Sequence, residues 1–154
     1  MNLKEKLLHD LKNEDLKKRN QATKALWSMW YREAGGQAES KLSYGTDLMS
    51  NKKLDEAEKI FTDLIAEFPD FAEAHNKIAT LFYLGGKYLE SVDECEIVLS
   101  LNPQHFGAWN GMGLCLFSLG NYEEAIQSFQ SALGIQPFAD INRVYIARCR
   151  GNLN

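Results

Sequence analysis

The segment that decides the fold is residues 109–137, which read WNGMGLCLFSLGNYEEAIQSFQSALGIQP. Its first half carries residues at the i, i+3, i+4 and i+7 spacing of one helical face: Trp109, Met112, Gly113 and Leu116. Gly120 interrupts this pattern, and a second apolar stripe follows on Ala125, Phe129 and Ala132. Pro137 ends the stripe, because proline cannot continue a helix. The segment therefore predicts two helices joined by a short turn.

Side-chain caps are predicted at the starts of three helices. Asn121 and Glu124 have the spacing of a capping box, in which each side chain accepts a hydrogen bond from the other residue's backbone N–H. Asp70 and Glu73 have the same spacing. Asp140 precedes a further apolar pattern, so we expect it to cap a helix that follows the third unit.

The two-helix pattern recurs with a period of 34 residues. The prolines at positions 69, 103 and 137 are separated by two intervals of 34. Small or apolar residues share this spacing: Gly45, Ala79 and Gly113; Leu48, Phe82 and Leu116; Ala57, Ser91 and Ala125; Phe61, Cys95 and Phe129. The units are 38–71, 72–105 and 106–139. This period predicts a solenoid whose units cover one another's apolar faces, and small residues let the paired helices approach closely.

The two ends of the chain depart from the repeat. Residues 1–36 predict an N-terminal helical hairpin, a cap that covers the first repeat, with Trp27 and Trp30 in its core. The alternative is that one of these aromatic residues is an exposed anchor for a partner, since large aromatics are favoured at interfaces. Residues 140–154 predict a C-terminal capping helix and tail, because the array otherwise ends in an exposed apolar face.

Composition indicates one globular domain. The chain has 154 residues, 45% of them hydrophobic, and a net charge of −4. No stretch is long and apolar enough to span a bilayer, and the first ten residues have no apolar core of a secretory signal. The three cysteines at positions 95, 115 and 149 form no C-x-x-C pair. They predict buried free thiols in the cytoplasm or another reducing compartment, which could be the plastid stroma if a presequence is missing.

Charge is unevenly distributed along the chain. Residues 1–37 carry +3, the three units carry −4, −3 and −2, and residues 140–154 carry +2. Solvated outer faces explain this pattern, since charges on helices usually face solvent. The alternative is a partner whose basic segment lies on the acidic middle. The acidic repeats make nucleic acid an improbable partner.

No catalytic constellation is evident. The three histidines lie in different segments, at positions 9, 75 and 105, and no zinc-ligand spacing or phosphate-binding glycine loop occurs. His105 precedes a predicted helix, which favours a capping or packing role. Cys95 stands in an apolar column and is expected to be a buried thiol. We therefore predict a protein that is not an enzyme and uses no cofactor or metal.

The repeated residues resemble the tetratricopeptide repeat (TPR). The third unit matches its pattern at eight positions: Trp109, Gly113, Gly120, Tyr122, Ala125, Phe129, Ala132 and Pro137. The second unit departs at His75, Ser91 and Cys95, and the first at Lys41 and Lys52. The chain is also similar, more weakly, to short TPR proteins of cyanobacteria, other bacteria and plastids. The resemblance implies an all-α, right-handed α-solenoid of three helix pairs whose first helices line a concave face.

That resemblance implies binding of a partner peptide or protein segment on the concave face, by an adaptor, an assembly factor or a scaffold like a co-chaperone. The inward positions include Ser43, Gly107 and Gly111 and twelve candidate binding residues: Glu39, Leu42, Thr46, Met49, Glu73, Asn76, Lys77, Thr80, Tyr83, Asn110, Leu114 and Phe117. Asn76 and Asn110 are equivalent and could hold a peptide backbone.

Co-chaperones of this fold grip a C-terminal carboxylate with Lys, Arg and Asn. The corresponding positions here hold Leu42, Thr46, Lys77, Gly107 and Gly111. No carboxylate clamp is therefore expected, and no membrane partner is expected either. Two alternative functions remain open, a self-associating structural protein and, less favoured, an RNA-binding helical repeat.

Overall fold

In the computed structural model, which describes residues 1–154, the chain forms nine α-helices and no strand. The helices are α1 (Leu3–Asp10), α2 (Leu16–Arg32), α3 (Gly36–Ser50), α4 (Leu54–Glu67), α5 (Ala72–Leu84), α6 (Tyr88–Leu101), α7 (Phe106–Ser118), α8 (Tyr122–Ile135) and α9 (Ile141–Leu153). The all-α solenoid expected from the sequence is confirmed. No helix combines the length and the apolar character needed to cross a membrane.

Three antiparallel helix pairs, α3–α4, α5–α6 and α7–α8, form the body of the solenoid. The small-residue column lies where the two helices of a pair approach most closely. A Cβ atom on Gly113 would lie 2.6 Å from Cε1 of Phe129, and one on Gly45 would lie 2.5 Å from Cε1 of Phe61. The second pair tolerates Ala79 at this position because its partner is Cys95 rather than phenylalanine.

The turns inside the pairs also repeat. Lys52, Gly86 and Gly120 occupy equivalent positions with φ of 62°, 74° and 80°. This left-handed conformation strains a residue that has a side chain, so Lys52 carries a cost that the two glycines avoid. The next backbone N–H in each turn donates back to the preceding helix, as in Asn121 N–H to Leu116 O at 2.9 Å. These bonds end the first helix of each pair.

The predicted side-chain caps are wrong. Asn121 and Asp140 precede α8 and α9, but neither side chain accepts a backbone hydrogen bond, and α5 begins after Phe71 without one. The backbone of Asn121 is instead held by the turn described above, with ψ of 68°. His105 is the exception, because its Nδ1 accepts from Ala108 N–H at 3.0 Å and caps α7.

The N-terminal hairpin, here called the strap (α1 and α2), contacts the first repeat through the C-terminal end of α2, where Tyr31 packs on the core of the first two pairs, but its own core residues are buried elsewhere. Its buried residues are Leu11, Ala22, Leu26 and Trp30, and they pack in one cluster with Phe106 and Ile135 of the third pair. Gln136 donates a hydrogen bond to Thr23, and Arg19 lies over the ring of Phe138. The strap therefore lies against the third pair, where Trp30 is buried and Trp27 is half-buried.

The C-terminal helix α9 closes the third pair, as expected. Tyr145 stacks on Phe129 with ring centroids 5.3 Å apart, and Ile146 and Cys149 are buried in the same cluster. Asn110 donates a hydrogen bond to Asn142 at 2.9 Å. The helix thereby covers the apolar side of α7 and α8 that would otherwise face solvent.

Candidate partner-binding groove

A cavity of about 200 Å³ opens between the first helices of the second and third pairs, α5 and α7. Its walls come from α5 and α7, and its floor comes from α6. The lining residues are Asn76, Ala79, Thr80, Tyr83, Ser91, Cys95, Gly107, Asn110, Gly111 and Leu114. A mixed apolar and amide lining of this kind suits one side chain and the backbone of a peptide.

Two small residues create the cavity. Phe129 and Tyr145 stack on each other between the third pair and α9. One period earlier, the equivalent positions hold Cys95 and Gly111, and a Cβ atom on Gly111 would lie 3.9 Å from Cys95 Sγ. The space that two aromatic rings fill at one interface is therefore open at the other.

The floor of the cavity is uncharged. Ser91 Oγ donates to Ala79 O at 2.7 Å and accepts from Cys115 Sγ at 3.1 Å. Burial, reinforced by the neighbouring Cys115 and Glu94, raises the pKa of Cys95 to about 12. The thiol stays protonated at neutral pH, so Cys95 contributes packing surface and not a nucleophile.

The amide side chains of the walls retain hydrogen-bonding capacity. Asn110 uses its Nδ2 on Asn142, and its Oδ1 makes no bond within the chain. Asn76 donates only a long bond of 3.5 Å from Nδ2 to Glu73. Each amide can therefore accept from a peptide N–H, and that of Asn76 can also donate to a peptide carbonyl.

The strap borders one edge of the groove. A Cβ atom on Gly107 would lie 2.8 Å from Cη2 of Trp27, so only glycine allows this approach. Lys77 Nζ lies 5.0 Å from the ring centre of Tyr31. Sequence reasoning placed Gly107 in the groove but did not find the tryptophan beside it.

Five of the twelve candidate binding residues line the cavity: Asn76, Thr80, Tyr83, Asn110 and Leu114. Lys77 and Phe117 lie on α5 and α7 outside the cavity, and Glu39, Thr46 and Met49 lie on α3, the first helix of the first pair. The prediction that Leu42 and Glu73 face the groove is wrong, because both side chains are fully buried. Leu42 packs in the core of the first two pairs, and Glu73 pairs with His105.

The buried pair of Glu73 and His105 links three parts of the molecule. His105 Nδ1 accepts the capping bond from Ala108 N–H, so Nε2 carries the proton and donates to Glu73 Oε1. The ring of Trp30 stacks on His105 with centroids 4.4 Å apart. The contact between Glu73 and His105 therefore links the second helix pair, the third helix pair and the strap. No group of three or more histidine, cysteine, aspartate or glutamate residues that could hold a metal ion occurs in the structure.

Sequence profiles of the tetratricopeptide repeat match residues 44–105 and 107–138. A TPR repeat-containing protein of Rhizobium etli is 33% identical over 108 residues, which are 70% of this chain and 53% of that protein. Hsp70-Hsp90 organizing protein 1 of Glycine max is 27% identical over 153 residues, 97% of this chain and 27% of that protein. The chain thus spans about half the length of the first relative and about a quarter of the second.

A solved structure with a similar fold is the first TPR of Spaghetti (RPAP3), bound to the HSP90 peptide SRMEEVD. The TM-score is 0.72 at 19% identity, with 74% of this chain and 90% of that chain covered. At a sequence identity of 19%, this similarity supports a shared fold only.

Proposed function

Because this chain belongs to the tetratricopeptide repeat family, we propose that it is a non-catalytic interaction module that binds a peptide or protein segment in the groove between α5 and α7. The observation that carries the proposal is the cavity that Cys95 and Gly111 leave open between Asn76 and Asn110. One apolar side chain of the ligand fills the cavity, and the two amides hold its backbone. The RPAP3 domain, whose solved structure holds an HSP90 peptide, supports peptide binding by a domain of this fold.

The ligand's C-terminal carboxylate has no role in this mode. At the positions of a carboxylate clamp, Leu42 is buried, Gly107 lies against Trp27, and Gly111 opens the cavity. Lys77 supplies one cation, which already lies over Tyr31. The peptide SRMEEVD with a free carboxylate should therefore bind no better than its C-terminal amide, as measured by NMR titration. Carboxylate-dependent binding would contradict this part of the proposal.

Free thiols support a reducing compartment as the place of action. All three cysteines are buried and unpaired. Buried free thiols persist where the surroundings keep them reduced.

The groove can be tested by selecting ligands from a random linear peptide library on the purified protein. The variant Gly111→Tyr copies the residue at the equivalent position of α9 and fills the cavity. We expect it to weaken binding of the selected peptides by about tenfold or more. Asn76→Ala with Asn110→Ala should weaken binding by removing backbone contacts. The matched control is Gly134→Tyr, at an exposed glycine of α8 with no neighbouring atom within 4 Å of its Cβ position.

Selected peptides that bind Gly111→Tyr as tightly as the unaltered protein would refute the groove as the binding site. Thermal unfolding of each variant shows whether the fold is intact. The control variant Gly134→Tyr separates the loss of the cavity from the general effect of adding a large side chain to a helix.

A further inference from the structure

The outward face of α6 differs from those of α4 and α8. Leu89 and Ile97 are 65% and 39% exposed, and Leu101 is 37% exposed. One period earlier, the equivalent residues are Asp55, Asp63 and Glu67; one period later, they are Glu123, Ser131 and the buried Ile135. The second pair therefore presents an apolar stripe where its neighbours are polar or covered. We call Leu89, Ile97 and Leu101 the α6 stripe.

The surroundings of the α6 stripe are acidic. Glu90, Asp93 and Glu96 are exposed on the same helix. No lysine or arginine occurs from Tyr88 to Asn142. Asp93 lies between Leu89 and Ile97 on the same helical face, and Glu90 and Glu96 lie beside it, so this face fits a surface that combines apolar groups with lysine or arginine.

The strap of the same chain carries a surface of that kind. A groove of about 370 Å³ runs between α1 and α2, with Leu3, Leu7 and Ala25 among its apolar lining residues and Lys6, Asp10 and Lys18 as its charged ones. Leu3 is 63% exposed, and Leu7 and Ala25 are half-buried. Part of the apolar lining of this groove therefore remains accessible in the folded chain.

We propose that the α6 stripe of one copy docks into the α1–α2 groove of a second copy. Leu89 and Ile97 would enter between the two helices of the strap, and Asp93 and Glu96 would face Lys6 and Lys18. Each copy carries both surfaces, and in a dimer with a twofold axis the contact would be made twice. The stripe lies on the outer side of α6, away from Asn76 and Asn110, so this association is independent of peptide binding.

Sedimentation velocity from about 1 µM to about 500 µM brackets the affinities expected of such a contact. We expect a concentration-dependent dimer for the unaltered protein. Ile97→Asp and, separately, Leu89→Asp introduce the residues that α4 carries at the equivalent positions and leave the surface more acidic. Each should raise the dimer dissociation constant by about tenfold or more, since the apolar contact is lost. Gln130→Asp, on the exposed face of α8, adds the same charge elsewhere and should leave the dissociation constant unchanged.

A charge exchange tests the pairing directly. Lys6→Glu with Lys18→Glu should weaken the dimer, and adding Asp93→Lys with Glu96→Lys to the same chain should restore it. Association should also weaken between about 50 mM and about 500 mM salt. A protein that is monomeric throughout the range, a dimer that Ile97→Asp leaves unchanged, or an exchange that fails to restore association would each overturn the proposal.

Discussion

Replacing Gly113 with alanine tests the close approach of α7 and α8. The added Cβ would lie 2.6, 2.7 and 2.8 Å from three ring atoms of Phe129, where ordinary contacts are 3.4–4 Å. The ring cannot move away freely, because it is fully buried and stacked on Tyr145. Overpacking of this kind costs about 1–3 kcal/mol. Alanine recovers about 1 kcal/mol of helix propensity relative to glycine. We therefore expect a net loss of up to about 2 kcal/mol in the free energy of unfolding.

Urea denaturation measures this loss, with Gly134→Ala as the matched control. Gly134 also lies inside a helix, but no atom lies within 4 Å of its Cβ position, so alanine there should stabilise the protein by about 1 kcal/mol. The opposite signs of the two substitutions isolate the clash with Phe129 from helix propensity.

The double variant Gly113→Ala with Phe129→Cys reproduces the pair Ala79 and Cys95 of the preceding unit. Its destabilisation should be smaller than the sum of the two single effects by about 1–3 kcal/mol, since the thiol leaves room for the methyl group. If Gly113→Ala stabilised the protein as Gly134→Ala does, or if the two changes were additive, the steric explanation of the small-residue column would be refuted.

Three further measurements probe other parts of the structure. Burial lowers the pKa of His75, but hydrogen bonds, chiefly to Glu94 at 2.8 Å, raise it more, so the folded pKa lies above its ordinary value of 6.5. The stabilisation from this contact is complete below about pH 6.5 and is lost as the pH rises through the folded pKa. In urea denaturation, His75→Gln should therefore destabilise the protein more at about pH 6 than at about pH 9. Because burial raises the pKa of Cys95 from 9.0 to about 12, its thiol should react with iodoacetamide about a thousandfold more slowly in native protein than in urea at neutral pH, as measured by mass spectrometry. Trp30→Ala should cost about 3 kcal/mol in urea denaturation, and the half-buried Trp27 distinctly less; equal losses would contradict the placement of the strap.

The helix pairs could be predicted from the sequence because their determinants are local and repeated. A glycine or alanine at 45, 79 and 113 and an apolar residue at 61, 95 and 129 specify which faces of neighbouring helices meet. Repetition at one period then extends that local rule along the chain.

The position of the strap could not be predicted in this way. The spacing of Leu26 and Trp30 shows that α2 has an apolar face, but not which surface that face covers. Its partner Phe106 stands where the preceding units hold Ala38 and Ala72, and Ile135 stands where they hold Glu67 and Leu101. These departures, together with His105, which caps α7 and stacks on Trp30, distinguish this edge of the molecule but do not identify the segment that covers it.

The sequence predicted some of the residues that line the cavity but not the cavity itself. The inward positions of Asn76 and Asn110 followed from the repeat, whereas Leu42 has the same register and is buried. The cavity exists because two small residues, Cys95 and Gly111, face each other at the interface between the second and third pairs. In the sequence, the only sign of the cavity was that Cys95 replaces an aromatic residue of the repeat. The structure was needed to show that Gly111 lies opposite it across the interface.

The bond from Gln136 to Thr23 joins residues 113 positions apart, in an architecture in which most helix contacts run between helices that follow each other in the chain. In a simple linear array, folding energy is a sum over nearest neighbours, and either end can fray by itself. Here the first helices of the chain are fastened to the last repeat, so the third pair cannot melt without releasing residues at the opposite terminus. The protein should consequently unfold as one cooperative unit, and the contacts of the strap with the third pair should slow its folding relative to an array without them.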